Sequence, residues 1–125
     1  GHIGHGAILH GCIIRKNVLV GMNSVILDEA EIGENTIVGA NSTVKAKAQI
    51  PENSLVLGSP ARVIRPLDTK EIAWKSKGTQ EYIQLTERCL SSMQEVSPLT
   101  EVSADRLSYK AFKADYQIKQ NSLND

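Results

Sequence analysis

The chain has 125 residues, its Lys and Arg (14) balance its Asp and Glu (14), and aromatic residues make up only 4%. Zero net charge without a basic cluster excludes an electrostatic nucleic-acid binder and a polybasic membrane-surface protein, and no apolar run nears the ~20 residues a spanning helix needs. The two cysteines, Cys12 and Cys89, lie in different segments and make no disulfide framework, which points to a reducing, cytoplasmic compartment.

One period dominates the first half. Ile8, Ile14, Val20, Ile26, Ile32, Val38, Val44, Ile50 and Val56 follow one another at a spacing of six. Helices repeat near 3.6 residues and flat strands at 2, so neither explains it. A sustained period of six is the pattern of a hexapeptide parallel β-helix, in which each triangular coil stacks on the last. A second column of small or β-branched residues supports this: Cys12, Val18, Ser24, Ala30, Thr36, Ser42, Ala48 and Ser54. The aliphatic column is expected to fill the interior, the small column to sit inside beside the corners, and Cys12 to be a buried free thiol. Asn17, Asn23, Asn35, Asn41 and Asn53 suit turn positions that need unusual φ values.

Histidines appear only at the start of this run, at His2, His5 and His10. His2 falls in the register of the aliphatic column, and a structural role is expected there. His5 and His10 are five residues apart, one short of the repeat. Their side chains are therefore expected to leave neighbouring faces near a shared corner, where a cleft between subunits can gather them. Taken alone, the pair reads more readily as two surface histidines than as metal ligands. The chain opens inside a repeat, which is read as the C-terminal part of a longer protein.

The period ends after Val56. Leu57-Gly58-Ser59-Pro60-Ala61 is an exit turn, because Pro60 cannot continue a ladder, and Val63 and Ile64 are expected to cover the end of the solenoid. Asp68 and Glu71 have capping-box spacing for a helix running to about Lys77. Gly78 is expected to interrupt it and Thr79 to cap a second helix. That helix carries Tyr82, Leu85, Cys89 and Met93 on one face, a stripe expected to pack on the solenoid or on a neighbouring subunit. Trp74 is expected to be a packing residue. The organisation is thus a β-helix over 1–65, helices over 66–95 and a polar tail over 96–125, with residual helix near Tyr109–Tyr116.

Three strings carry a resemblance: Gly4-His5-Gly6-Ala7-Ile8-Leu9-His10-Gly11-Cys12, Leu19-Val20-Gly21-Met22-Asn23-Ser24-Val25-Ile26-Leu27-Asp28, and Leu57-Gly58-Ser59-Pro60-Ala61-Arg62. They resemble the γ-class carbonic anhydrase-like branch of the hexapeptide superfamily. The segment from Ala73 to Cys89 is similar to members linked to phenylacetate degradation, with carnitine-operon members second. The likeness covers about residues 1 to 106. It implies a left-handed β-helix, a homotrimer, and a zinc-type metal (Zn2+ or another divalent ion) at each subunit interface. Three histidines hold that metal, and His5 and His10 match two of them. The third belongs to an earlier coil and has no counterpart here. Relatives usually carry Gly at the middle of Asp28-Glu29-Ala30, a departure expected to touch a turn only.

The resemblance further implies that a cation on three histidines keeps one position for a water whose pKa falls to about 7. Such a site suits hydrolysis of a ring-derived acyl-CoA thioester, with Tyr82 either reaching over the site or merely packing. CO2 hydration is an alternative at the same site. The others are acyl transfer with a lone histidine as base and a non-enzymatic accessory role in carnitine metabolism.

Overall fold

The computed structural model describes residues 1–101. The residual helix expected near Tyr109–Tyr116 lies outside the described residues. Nine two-residue strands follow one another: β1 His2–Ile3, β2 Ile8–Leu9, β3 Ile13–Ile14, β4 Leu19–Val20, β5 Val25–Ile26, β6 Glu31–Ile32, β7 Ile37–Val38, β8 Thr43–Val44 and β9 Gln49–Ile50. Every third strand pairs in parallel, which gives three flat faces: β1-β4-β7, β2-β5-β8 and β3-β6-β9. The chain is therefore a parallel β-helix of hexapeptide repeats, as the period predicts. β10 (Ser54–Gly58) extends the first face, and β11 (Ala61–Pro66) folds back on it antiparallel. The backbone of β11 thus covers the edge of β10. Val63 and Ile64, expected to do so with their side chains, are exposed.

The corners explain the period. Asn17, Asn23, Glu29, Asn35, Asn41, Lys47 and Asn53 all have φ between 54° and 62°, one in every six residues. Each reverses the chain direction in the left-handed region, where asparagine is tolerated better than most side chains. One corner column adds a side-chain ladder: Asn17 donates to Asn35 at 2.8 Å and Asn35 to Asn53 at 3.0 Å. Gly21 follows a buried valine where the coils touch, and a Cβ there would lie 2.4 Å from the backbone N of Ala40.

The interior is a column of Val20, Ile26, Ile32, Val38, Val44 and Val56, all essentially inaccessible, flanked by Val18 and Ala30. The small column is buried from Val18 to Ser42 and again at Ser54, and its hydroxyls are satisfied: Ser24 donates to the Gly39 carbonyl and Thr36 to that of Pro51. Cys12, expected to be buried, is a half-buried free thiol packed on the edge of this core.

The first coil departs from the expected register. Ile8 pairs with Val25, while Leu9 pairs with the buried Ile26. Likewise Ile3, not His2, pairs with Val20, and His2 lies opposite Leu19. The inward residues at the start are therefore Ile3 and Leu9, and the column of sixes begins at Ile14. The cause is local. Leu9–Ile26 and Ile13–Glu31 are both coil-to-coil pairs, so residues 10–12 face residues 27–30. The first coil is one residue short at His10–Gly11.

A single helix, α1 (Thr69–Ser92), follows. Asp68 accepts from the Glu71 amide at 2.8 Å and Glu71 accepts from the Asp68 amide at 3.0 Å, the capping box the sequence predicts. The expected break at Gly78 does not occur. A mid-helix glycine costs only about 1 kcal/mol, and α1 continues through it. Ser76 meets the end of the asparagine ladder, accepting from Asn17 at 2.9 Å. Residues 93–101 carry no helix or strand.

Arg65 chelates Glu71 at 2.7 and 2.8 Å. That guanidinium, helped by the Asp68 amide, lowers the Glu71 carboxyl from its usual 4.5 to about 2. A carboxyl held lower in the folded than in the unfolded chain stabilises above its unfolded value and loses that contribution as pH falls. The cap is therefore expected to weaken between pH 4.5 and about 2, and Arg65→Ala to move helix loss to higher pH, measured by circular dichroism during acid titration. Glu29 is a non-glycine corner residue with φ 57°, and its exposed pair with Lys47 is long at 3.8 Å. Such a pair contributes little, whereas left-handed backbone costs an L-residue about 1–2 kcal/mol. Glu29→Gly is expected to raise stability by roughly 1 kcal/mol in urea unfolding; a lowered midpoint would show that the ion pair outweighs the strain.

Candidate functional site

His5 and His10 occupy the same place in successive corners, each just before a left-handed glycine: Gly6 at φ 69° and Gly11 at φ 57°. Strand β2 separates them. They do not share one corner, as their spacing suggests. The reason is the short coil, which brings the two turns five residues apart without merging them. The His5 carbonyl accepts from the Asn23 amide at 2.9 Å, tying its corner to the next coil, while its imidazole makes no hydrogen bond among the described residues.

His10 is held differently. Its Nδ1 lies 2.9 Å from Oδ1 of Asp28, with the two side chains 70% and 55% exposed. Asp28 belongs to the 27–30 segment that faces only three residues, so its side chain has room beside the imidazole. Gly11 keeps that room open, since a Cβ there would lie 2.8 Å from the same Oδ1. Nδ1 is the nitrogen beside the carboxylate, and Nε2 is the one left open. Sequence reading places Asp28 in a turn and misses this contact. The signal lay in the five-residue spacing of the histidines, which implies an unmatched residue one coil on.

Tyr82 lies beside His2: the ring centroids are 4.8 Å apart with planes at 72°, an edge-on contact. Its hydroxyl makes no hydrogen bond among the described residues, and the ring is 56% exposed. His2 thus points outward to α1 and not into the aliphatic column. Beyond Tyr82 the described residues leave the apolar stripe uncovered, and Tyr82, Leu85, Thr86, Cys89, Leu90 and Met93 line an open groove of about 400 Å3. The segment leading into α1 meets the third coil at Leu67–Asn53, and α1 then meets Asn17 at Ser76 and His2 at Tyr82. A helix of 24 residues spans about 36 Å, whereas coils rise about 4.8 Å each, so its last turns outrun the stack. Trp74, expected to pack, is 58% exposed.

Lys75 is the one charged residue buried on α1. Its Nζ has no hydrogen-bond partner among the described residues, and burial lowers its pKa.

Among the described residues no three His, Cys, Asp or Glu side chains form a group that could hold a metal ion. His5 and His10 stand on separate corners, and each offers a single imidazole of the kind zinc and similar cations accept. A carboxylate on the remaining N–H is the usual support for a ligating histidine.

Fold and corners together define a hexapeptide-repeat β-helix protein. Residues 11–46 match the family described as bacterial transferase hexapeptide (six repeats), a match that begins where the short coil ends. The chain is 53% identical over 106 residues to the carnitine operon protein CaiE of Salmonella agona and 50% identical to that of Escherichia coli K12. Each alignment takes in 85% of this chain and 54% of the relative, so the chain spans about half the length of the curated relatives it matches. Among solved structures it is similar to a Bacillus cereus protein provisionally described as an acetyltransferase, with a TM-score of 0.70 and 42% identity over 71% of this chain and 52% of that one. A hexapeptide transferase family protein from Anaplasma phagocytophilum superposes with a TM-score of 0.65 and 32% identity, over 68% and 51%.

Lys75 yields a prediction. An unsatisfied buried amine costs about 1–3 kcal/mol, and an apolar side chain of similar length removes that cost. Lys75→Met is expected to raise the urea midpoint. Because the folded amine holds its proton less tightly than the unfolded one, stability is expected to rise with pH up to the ordinary value of 10.5, a slope that Lys75→Met abolishes.

Proposed function

We propose that the full protein acts on a CoA thioester at a metal centre to which this chain contributes His5 and His10, with the third ligand supplied from outside the chain in a homotrimer. The observation that carries this reading is the His10–Asp28 contact at 2.9 Å on an exposed corner, which leaves one imidazole nitrogen open. When bound, a zinc-type cation would acidify a water and polarise the thioester carbonyl. His10 would offer its open nitrogen to such a cation with Asp28 fixing its ring, and His5, on the preceding corner, would offer another nitrogen where two subunits meet in the trimer. Tyr82, braced on His2, is a wall of the acyl pocket. The substrate class is a ring-derived acyl-CoA, and the likeness to carnitine operon proteins favours, as the alternative, a role in carnitine metabolism. CO2 hydration would use the same residues.

A second reading needs no metal. The same His–carboxylate pair suits a general base, and the likeness to a protein described as an acetyltransferase favours acyl transfer through Nε2 of His10. The carnitine operon relatives also admit an accessory, non-enzymatic role. The protein is expected in the cytoplasm; among the described residues no helix is long and apolar enough to cross a membrane.

The test is CoA release from a panel of acyl-CoA thioesters by the full-length protein, with zinc, with chelator and as His10→Ala. Zinc-dependent turnover that falls by about 100-fold or more in His10→Ala is the expected outcome. Turnover indifferent to chelator but lost in His10→Ala, and dependent on an acceptor, would replace hydrolysis by acyl transfer. Absence of turnover in the zinc-loaded protein would leave CO2 hydration or the accessory role.

A further inference from the structure

The geometry points to Asp28 as the positioning residue of His10: it selects the imidazole tautomer protonated at Nδ1 and so leaves Nε2 unprotonated for a cation or a substrate proton. The inference rests on the reading of His10 as the open nitrogen of the site.

Three observations converge on Asp28. Asp28 lies in a segment of four residues, 27–30, that faces only the three residues 10–12. Its backbone is nevertheless tied down, since its carbonyl accepts from the Lys47 amide at 2.8 Å and the next amide, of Glu29, donates to the Gly11 carbonyl at 2.8 Å. Its carboxylate then meets Nδ1 of His10 at 2.9 Å. Gly11 is the third part of the arrangement. Its φ of 57° turns the chain at once after His10, and the missing Cβ leaves the space that Asp28 Oδ1 fills.

A neutral imidazole carries its proton on one nitrogen, and the partner of the other decides which. A carboxylate accepts hydrogen bonds and donates none, so the Nδ1–H form is the one that fits beside Asp28. The contact is a local clamp and not a core interaction, because both side chains are more than half exposed. Its removal should leave the coils stacked and free the imidazole. The one-residue shortening of the first coil is thereby a device: it gives up one coil-to-coil pair and gains a carboxylate beside the candidate ligand.

The test is nitrogen-15 NMR of the imidazoles of this chain, at alkaline pH, in the native sequence, Asp28→Ala and Asp28→Asn. In the native chain His10 is expected to be protonated at Nδ1. Asp28→Ala is expected to shift it toward the Nε2-protonated form that unrestrained histidine favours. Asp28→Asn, whose amide oxygen still accepts, is expected to restore the native signature, while the amide signals of Val20, Ile26 and Ile32 stay in place in both variants. A native chain with His10 protonated at Nε2, or no change in Asp28→Ala, overturns the inference. The native spectrum decides even if the alanine variant does not fold. Cobalt or zinc titration of the full-length protein separates the two readings. Weakening by about 10–100-fold in Asp28→Ala supports both. A native protein that sets the tautomer but takes up no cation removes the metal reading and leaves the role of Asp28 standing.

Discussion

Coil-to-coil hydrogen bonding is the constraint on which this molecule depends. Strands of two residues are too short to hold together within one coil. Each is secured by the equivalent strand one coil away, as Leu19 is by Ile37 and Ile37 by Leu55. That pairing survives only if every corner turns the chain alike. The left-handed residue at each sixth position enforces this, whether it is Asn17, Glu29 or Lys47. Side chains follow from the backbone: one aliphatic and one small residue per face point inward, and Val20, Val38 and Val56 stack as a continuous column.

Where the constraint is relaxed, the candidate chemistry lies. The first coil lacks one residue at the His10–Gly11 corner, and Asp28 in the facing segment turns its carboxylate to His10. Nearby, Gly6 leaves the space that the Asn23 side chain occupies, so the His5 corner is tied to the next coil through short polar contacts. Both histidines project from stiff corners and not from a long loop. Such placement suits a site that needs fixed donor positions.

The helix is attached by polar and aromatic contacts more than by a hydrophobic interface. Asp68 and Glu71 start it, Ser76 joins the end of the asparagine ladder, and Tyr82 leans on His2. Lys75 is buried in the same segment without a partner, an arrangement that works against stability and has no structural explanation among the described contacts. The stripe from Leu85 to Met93 has the periodicity of a packed face, yet it extends past the coils that could cover it.

The sequence by itself determined the β-helix, because a period of six over nine aliphatic residues is a one-dimensional signal that survives any detail of packing. It also determined the corner asparagines and the capping box, whose geometry is local. Tertiary structure decided the rest. Ile8 and Leu9 are both aliphatic, so the letters cannot say which one faces inward; the pairing of Leu9 with Ile26 does. Gly78 looks like a helix breaker, but its small local cost is outweighed once the helix is capped and docked. His2 and Tyr82 are 80 positions apart in the chain and meet only because α1 runs back along the coils. Asp28 reads as a turn residue, and it becomes the partner of His10 only because two stacked coils differ by one residue. Register between coils is a property of the pair, and no single segment contains it.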